Sequence, residues 1–472
     1  MSRTAARSLH PDRLLPADPG VRAVARRLYD AVRELPIISP HGHVDPRILL
    51  DDTPFSDPAA LFVTPDHYVT RMLHASGVPL DALGVGKGPL SEPDARAAWR
   101  LLCSHWSAYR GTPVRFWLET ELAEIFGITV RPSAETADVI YDQVAERLAD
   151  RSYRPRALYE RFGISVLATT DDPSDDLSAH AALVDDPTWT GRVIPTFRPD
   201  TYLEVSGAGW AAAVGRLGEV ADVDTGTYGG WVTAMERRRR YFVDHGATSA
   251  DHSHEDAGTA PLEAAEADRI YRTGLAGTAT PDEAVSLRRH MLLEMARMST
   301  EDGLTMTLHP GVRRNHHRPT FAAYGPDTGH DIPLRGDFTD PLQPLLERFG
   351  THPNFRLVLF TLDETVFSRE LAPLAGFYPS VYVGAPWWFL DAPEAVRRWR
   401  SGVTESAGFA KTSGFIDDTR AFCSIPARHD MSRRLDSGYL AQLVAEHRLD
   451  EDEAVETAID LVATRPRVAF NL

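Results

Sequence analysis

Two histidines near the amino terminus of the chain could ligate a metal ion. His41 and His43 flank a glycine and follow the apolar run at residues 35–38, which has the length of a buried strand. Side chains alternate along a strand, so histidines two positions apart point the same way and can converge on one ion. A chain with 18 histidines also produces such pairs by chance, and a pair of satisfied polar side chains is the alternative.

A pair of carboxylates near the other end of the chain could complete this set of ligands. Asp417 and Asp418 end a second short apolar run, at residues 414–416. Two imidazole nitrogens and one carboxylate oxygen, with a position left for water or substrate, are the ligand set of a catalytic divalent ion, usually zinc. The first and last strands of a closed barrel are neighbours, so the pattern predicts a metal site between them.

The composition describes a large globular chain and restricts its partners. The chain has 472 residues, 43% of them hydrophobic, and no apolar run approaches the roughly 20 residues that a membrane helix requires. Its formal charge of −17 argues against nucleic acid, which binds basic surfaces. The two cysteines exclude a disulfide framework and predict a cytoplasmic location, and residues 1–15 lack the apolar core of a secretory signal.

Eight short apolar runs alternate with polar residues and longer helical stretches. They lie at residues 35–38, 164–168, 193–197, 246–247, 304–308, 355–360, 381–383 and 415–416. Such a series predicts an α/β fold, a (β/α)8 barrel with its active site at the carboxyl ends of the strands. An open doubly wound sheet is the alternative, but the chain has none of the glycine-rich phosphate motifs that usually accompany that fold.

The first and second runs are separated by a long stretch without strand character. Apolar residues recur there at helical spacing, as in residues 94–108 and 116–126. We therefore expect a helical insertion subdomain at residues 54–162. It would lie between a lead-in with the first strand, residues 1–53, and the remainder of the barrel, residues 163–472. A helix over residues 21–34 is expected to precede the first strand.

Motifs spread over nearly the whole chain resemble those of one enzyme family. They are His41-Gly42-His43, Asp66-His67-Tyr68, Phe116-Trp117, Thr169-Thr170-Asp171-Asp172-Pro173, Phe197-Arg198-Pro199-Asp200, Ser249-Ala250-Asp251-His252, Leu308-His309, Gly325-Pro326-Asp327-Thr328-Gly329, Trp387-Trp388-Phe389 and Asp418-Thr419-Arg420. In their joint order and spacing the chain resembles the uronate isomerases, or glucuronate isomerases, of the amidohydrolase superfamily. No single motif carries this resemblance.

The resemblance implies an aldose-ketose isomerisation of a sugar acid, D-glucuronate to D-fructuronate and D-galacturonate to D-tagaturonate. It implies a divalent metal, with zinc expected, on His41, His43 and Asp418. A homo-oligomer with a small-molecule sugar acid as its partner is also expected. The residues that the resemblance assigns to substrate binding or catalysis are His67, Tyr68, Arg198, Asp251, His309, Trp388 and Arg420.

Three of these residues are expected to act in proton transfer, which passes from C2 to C1 through a cis-enediol. Tyr68 is a candidate base if a cation such as Arg198 or the metal lowers its pKa, which is ordinarily near 10. Asp418 is placed to move a hydroxyl proton, with Arg420 orienting it or pairing with the substrate. Arginine binds carboxylate through two parallel hydrogen bonds, so Arg198 and Arg420 are expected to hold the substrate.

Other interpretations of these residues remain open. Arg198 and Arg420 could be structural, bridging strand ends to loops. A metal-dependent hydrolase acting on a sugar-acid lactone, ester or amide would carry the same histidines and aspartate, and so would a non-catalytic sugar-acid binding protein. The chain also departs from the family pattern at residues 362–365, where Asp363 and Glu364 replace a sequence that contains arginine, so a neighbouring uronate is a further possibility.

Overall fold

The structure is a computed structural model that describes residues 9–472, and short strands form its centre. Residues 1–8, part of the segment in which no secretory signal is expected, lie outside the described residues. The strands are β1 (Ile37–Ser39), β2 (Ile164–Ala168), β3 (Val193–Ile194), β4 (Ser249–His252), β5 (Thr305–Leu308), β6 (Val312–Arg313), β7 (Ile332–Pro333), β8 (Leu357–Leu359) and β9 (Val381–Val383).

The central strands run parallel. β1, β2 and β3 pair in that order in one sheet, and β4, β5, β8 and β9 pair in that order in a second. Parallel bridges from Phe197 to Asp171 and to Ala250 connect the two sheets. Neighbouring parallel strands need crossover connections, which helices provide here. Strands that helices cover on both faces are buried, so their sequences are continuous apolar runs. The expected α/β class is confirmed.

The eighth expected strand is irregular, which corrects the prediction for residues 415–416. The segment 412–419 contains no regular strand, although it is hydrogen-bonded at both ends. Ser413 N donates to Val383 O of β9 at 3.0 Å, and His43 N, just after β1, donates to Thr419 O at 3.0 Å. The segment therefore connects β9 to the residues after β1. A closed barrel stays a prediction, because isolated hydrogen bonds form this junction.

Helices occupy most of the remaining described chain, and none of them is long and apolar enough to cross a membrane. Those before β2 are α1 (Pro19–Val32), α2 (Arg47–Asp51), α3 (Pro58–Phe62), α4 (His67–Ala75), α5 (Glu92–Ser104), α6 (Pro113–Thr120), α7 (Ala137–Leu148) and α8 (Pro155–Arg161). Those after β2 are α9 (Ser178–Asp185), α10 (Asp200–Leu203), α11 (Trp210–Ala221), α12 (Tyr228–Asp244), α13 (Ala264–Leu275), α14 (Pro281–Asp302), α15 (Arg318–Tyr324), α16 (Thr339–Phe349), α17 (Ala372–Phe377), α18 (Pro393–Ala407), α19 (Ile425–Ala445), α20 (Glu451–Ile459) and α21 (Arg465–Phe470).

The chain between β1 and β2 is helical, as its apolar spacing predicts. α5 and α6 begin within or just before the two predicted helical stretches. α4 begins at His67 because the carboxylate of Asp66 accepts a hydrogen bond from Tyr68 N at 2.8 Å, which caps the helix. One apolar cluster extends from this helical region into the strands. Because the two parts share a core, the domain boundaries at residues 54 and 162 stay predictions.

Two positions of the predicted pattern differ in the structure. β4 lies at Ser249–His252 rather than at residues 246–247. The sequence also does not predict the segment 312–333, in which β6 and β7 pair antiparallel with α15 between them. In this segment Gly329 has φ +88°, and a Cβ atom there would lie 2.7 Å from Cβ of Arg71 in α4. Only glycine allows both that conformation and that approach, so the 312–333 segment packs closely on α4.

Candidate active site

The predicted site residues gather where the parallel strands end, the position at which α/β barrels carry their active sites. A cavity of about 370 Å³ lies there. Three of the predicted residues, His41, Asp251 and His309, are buried and do not line the cavity. The other seven line it: His43, His67, Tyr68, Arg198, Trp388, Asp418 and Arg420.

Three residues bring metal-binding atoms together. Nε2 of His43 lies 2.9 Å from Oδ1 of Asp418, and Nε2 of His41 lies 3.4 Å from the same oxygen. The ligand atoms of the three side chains all lie within 4.8 Å of one another. Oδ1 of Asp418 is buried and has no hydrogen-bond partner. Converging imidazole nitrogens and an unpartnered carboxylate oxygen are what a divalent ion requires, so these residues fit a metal.

The protonation states of His43 and Asp418 suit the same role, whereas the neighbouring carboxylates of Asp251 and Asp418 raise the pKa of His41 despite its burial. Burial lowers the pKa of His43, which favours the neutral imidazole that ligates metals. Burial opposes ionisation of Asp418, but the two histidines hold the pKa of its carboxyl well below the ordinary value. The carboxylate of Asp418 is therefore ionised, as a metal ligand must be.

Backbone strain is concentrated at the wall of the cavity. Asp418 has φ +41° and Trp388 has φ +50°, both in the left-handed region that side chains rarely adopt. Such conformations persist only where the surrounding structure imposes them, and they occur often at active sites. Asp418 lies near the end of the segment 412–419, with its carboxylate beside the two histidines.

Asp251 and His309 form a second buried pair next to the metal-binding group. Nδ1 of His309 lies 2.7 Å from Oδ1 of Asp251, and the hydroxyl of Thr307 donates to the same oxygen at 2.6 Å. Although burial opposes ionisation, His309, His41 and Arg198 hold the pKa of Asp251 well below its usual range. The ionised carboxylate accepts a hydrogen bond from Nδ1–H and fixes the orientation of His309, whose Nε2 is buried without a partner.

His67 and Tyr68 stack on each other at the start of α4, with ring centroids 4.8 Å apart. Burial and the charge of Arg420 lower the pKa of His67 to about 3, so its imidazole is neutral. Burial raises the pKa of Tyr68 well above its ordinary value, although Arg428 opposes this. With Arg428 as the neighbouring cation, Tyr68 carries a neutral hydroxyl, and its expected role as a base assisted by Arg198 or the metal stays a prediction.

Both arginines expected to bind a carboxylate already contact carboxylates of the protein. Nε of Arg198 donates to Oδ2 of Asp200 at 2.9 Å, and its Nη1 lies 3.3 Å from Oδ2 of Asp251. Nη2 of Arg420 donates to Oδ2 of Asp327 at 2.8 Å. A guanidinium has five N–H donors, so each arginine keeps donors for a ligand while its position is fixed.

Sequence reasoning did not assign the polar residues that the 312–333 segment adds to the cavity. Arg314 lies over the ring of Trp388, 5.0 Å from its centroid, and donates to Asp331 at 3.2 Å. Asn315 and Asp327 line the same wall. The family-like motif at residues 325–329 includes Asp327, but polar residues in a long loop resemble ordinary turn residues, so the motif alone does not assign a role in the cavity.

The altered sequence after the sixth predicted strand lies outside the cavity. The carboxylate of Asp363 accepts hydrogen bonds from Gly336 N and Thr365 N, each at 2.9 Å. Glu364 pairs with Arg398. Neither acidic residue lines the cavity, so this departure from the family pattern adds no acidic side chain to the cavity wall.

A larger cavity, of about 700 Å³, lies away from the strand ends. Its lining comes mainly from α1, the chain before it, the residues after α6 and the start of α19, and includes none of the predicted site residues. Size therefore does not identify the active site here; the convergence of ligand atoms and arginines does.

Comparison with known proteins decides the family. The sequence pattern of a family described as glucuronate isomerase matches residues 20–464. The chain belongs to the glucuronate isomerase family. Its relatives include the uronate isomerase of Cutibacterium acnes, 54% identical over 465 residues, which cover 98% of this chain and 99% of that protein.

Solved structures agree with this assignment. The glucuronate isomerase of Caulobacter crescentus superposes with a TM-score of 0.96 at 47% identity, covering 98% of this chain and 97% of that one. The uronate isomerase of Thermotoga maritima gives a TM-score of 0.92 at 27% identity, covering 98% and 100%. A metal-dependent hydrolase of Lactobacillus casei shares the fold, with a TM-score of 0.53, 15% identity and coverage of 94% and 97%.

Proposed function

We propose that the protein is a uronate isomerase that converts D-glucuronate to D-fructuronate and D-galacturonate to D-tagaturonate. One observation carries this proposal: a set of metal ligands and arginines with free donors meet at one cavity in a chain of this family. An aldouronate has a carboxylate at one end and a carbonyl at the other, so it requires both. The metal-dependent hydrolase alternative is not favoured, because the full-length relatives are isomerases.

Arg198 and Arg420 are proposed to bind the substrate carboxylate. The side chain of Arg420 is 39% exposed at the cavity, so the donors that Asp327 does not use can reach a ligand. Arg198 is held from two sides by Asp200 and Asp251. Arginines that are already positioned lose less side-chain freedom when the substrate binds, which favours affinity.

His41, His43 and Asp418 are proposed to hold a divalent ion. Two imidazoles and one carboxylate favour zinc. When bound, the ion would supply Lewis-acid stabilisation to the substrate oxygens. The ionised Asp418 can accept a hydroxyl proton of the substrate at a carboxylate oxygen, and Arg420, two residues further on, can orient the sugar for that transfer.

Neutral side chains on the opposite wall are proposed to stabilise charge as it develops on the substrate. The protonated hydroxyl of Tyr68 can donate a hydrogen bond to an oxygen that becomes negative along the path to the cis-enediol. His67, stacked on Tyr68, and His309, oriented by Asp251, can bind substrate hydroxyl groups as neutral imidazoles. The ring of Trp388 supplies an apolar surface for the face of the sugar.

We further propose a cytoplasmic homo-oligomer. Cys103 and Cys423 are both buried and free, which suits a reducing compartment. The formal charge of −17 supports a small-molecule partner over nucleic acid.

Proton exchange measured by NMR tests the proposed reaction. The zinc-loaded protein is incubated in D2O with D-glucuronate and, separately, with D-galacturonate. We expect conversion to the ketose with deuterium taken up from the solvent, and the relative rates give the preferred acid. The control is the Asp418→Asn variant treated with the same metal. A folded, metal-loaded protein that converts neither acid would contradict the proposal.

A further inference from the structure

A fully buried arginine lies directly behind the active site. Arg428, in the first turn of α19, has no exposed surface. The centre of its guanidinium lies 3.7 Å from the ring centroid of Trp117 in α6 and 4.6 Å from that of Tyr68 in α4. Burying a charge costs free energy unless neighbouring groups compensate it. The groups around Arg428 must therefore stabilise its charge.

Arg428 also forms hydrogen bonds with residues from two other walls of the site. Nη1 donates to Oδ2 of Asp391 at 3.0 Å and to the backbone oxygen of Asp417 at 3.4 Å. Nε donates to the hydroxyl of Ser424 at 3.1 Å. Asp391 is itself buried and follows Trp388 by three residues. One guanidinium therefore touches α4, α6, the loop after β9 and the segment 412–419.

Two of these contacts are adjacent to groups that are proposed to act on the substrate. Tyr68 lines the cavity, and Asp417 immediately precedes Asp418, whose backbone is held at φ +41°. A guanidinium is flat and rigid, so it can lie against aromatic rings while its edge donates hydrogen bonds in fixed directions. A lysine keeps the charge but has neither the flat face nor the directed donors.

We propose that Arg428 is a positioning residue for the isomerisation. It fixes the ring of Tyr68 and the peptide of Asp417 relative to each other, and so sets the distance between the Tyr68 hydroxyl and the Asp418 carboxylate. Asp391 in turn fixes Arg428. This inference rests on the proposed function and adds to it a residue that does not touch the substrate.

A purely structural role is the competing explanation, and the chain contains a matched control for it. Arg400 in α18 is also buried and forms two hydrogen bonds to Asp436, at 2.8 and 2.9 Å. Its guanidinium centre lies 4.4 Å from the ring centroid of Trp399. It lines no part of the site cavity. Replacement of either arginine by lysine removes the same kinds of interaction, but only one of the two replacements affects the cavity wall.

The experiment compares the wild-type, Arg428→Lys and Arg400→Lys proteins, each full-length and zinc-loaded. The uronate that the wild type converts is used to measure kcat and KM, and melting temperatures report stability. We expect Arg428→Lys to lower kcat by roughly 10²-fold, the effect of a misplacement of about 1 Å. KM should change little, because Arg198 and Arg420 remain. Arg400→Lys should lower the melting temperature with little change in kcat.

Crystal structures of the variants provide a readout that does not depend on activity. In Arg428→Lys we expect a displaced Tyr68 ring or Asp418 carboxylate. Unmoved side chains at both positions, or equal losses of kcat in the two lysine variants, would overturn the inference.

If Arg428→Lys does not fold, Asp391→Asn replaces it in the comparison. This variant should show the same selective fall in kcat, and a wild-type kcat would overturn the inference. A wild type that converts no uronate contradicts the proposed function instead, and the crystal structures still decide whether Arg428 positions the two side chains.

Discussion

At the scale of single residues, the carboxylate of Asp418 has two proposed roles, as a metal ligand and as the acceptor of a substrate hydroxyl proton. It is the third member of the candidate metal-binding group, and its backbone lies in the left-handed region. A carboxamide of the same shape keeps the packing but loses the negative charge that both metal binding and proton transfer require.

We predict that Asp418→Asn retains the fold and loses both bound zinc and turnover, the latter by several orders of magnitude. Circular dichroism, metal analysis and the isomerase assay measure the three quantities. Asp417→Asn is a useful comparison, because it removes a neighbouring carboxylate that bonds to His429 Nε2 at 3.1 Å and not to the metal group. We expect Asp417→Asn to keep its zinc. Stoichiometric zinc in Asp418→Asn would remove this residue from the ligand set.

Arg420→Lys tests the binding of the substrate carboxylate. A point charge cannot reproduce two parallel hydrogen bonds, so KM should rise by roughly 10- to 100-fold, the equivalent of losing one charged hydrogen bond. Steady-state kinetics with the preferred uronate measure this change. Arg398→Lys, which alters an arginine paired with Glu364 away from the cavity, serves as the control. Unchanged KM and kcat in Arg420→Lys would mean that the carboxylate is bound elsewhere.

The sequence predicts which residue types meet at the site, but not how they pair. His41 and His43 follow from alternation along a strand, and a carboxylate from the pair Asp417 and Asp418 follows from the placement of polar residues at strand ends. The choice of Asp418 comes from the family resemblance alone. Arg428 could not be found in this way, because α19 is buried on most sides and carries several arginines. Its role depends on rings contributed by α4 and α6, and that packing has no signature within the helix itself.

At the scale of elements, α6 continues into a π-helical turn, Glu121–Ile125, with a buried carboxyl group at its start. Burial raises the pKa of Glu121 well above its ordinary value. In the unfolded chain this carboxyl ionises near pH 4.3, so above that pH the folded protein binds the extra proton. The free energy of unfolding then falls as pH rises, by at most about 1.4 kcal/mol per pH unit, until the folded carboxyl ionises.

We predict that Glu121→Gln removes this decline, so that the variant gains stability relative to the wild type between pH 5 and pH 8. Urea denaturation at several pH values measures the difference in the free energy of unfolding. Glu456→Gln, at an exposed position of α20, is the control and should follow the wild type. Curves for Glu121→Gln and wild type that run parallel over this range would contradict the prediction.

The 312–333 segment provides a test of how a largely irregular element, with two short strands and one short helix, shapes the cavity. Gly329→Ala introduces a Cβ atom 2.7 Å from Cβ of Arg71, so the segment that carries Arg314 and Asp327 must move. We expect a higher KM. Gly325→Ala is the matched control, since Gly325 has φ +81° in the same segment but open space around the added atom. Equal KM values for the two variants would show that the close contact with α4 does not set the cavity.

Regular elements with a local signal are predicted from the sequence, and irregular ones are not. The apolar runs give seven of the eight expected strands, one of them displaced, because continuous burial selects such residues. The eighth run fails because Gly414 has φ +71° and Asp418 has φ +41°, which a regular strand does not accommodate. β6 and β7 have two residues each, too few for any periodic signal.

At the scale of the whole molecule, α19 connects the active site to a separate apolar cluster. Its first turn holds Arg428, and about 18 Å further along the helix Leu440 packs with Leu28 of α1. The cluster consists of Ala25, Leu28, Val32, Leu440, Ala441, Ala454, Ala458 and Leu461. The sequence predicts α1, but not that it closes over the far end of α19, since that contact joins residues about 400 positions apart.

This arrangement predicts that the apolar cluster between α1 and α19 stabilises the fold without affecting catalysis. Leu28 is fully buried, so Leu28→Ala should lower the free energy of unfolding by about 2–5 kcal/mol. Because the start of α19 is held independently by Arg428, Asp391 and Ser424, kcat and KM should stay near wild type well below the melting temperature. Val184→Ala, at a residue that is 79% exposed, is the control for stability. A selective fall in kcat in Leu28→Ala would instead mean that the whole of α19 moves as one rigid body, and that the site is set from its far end.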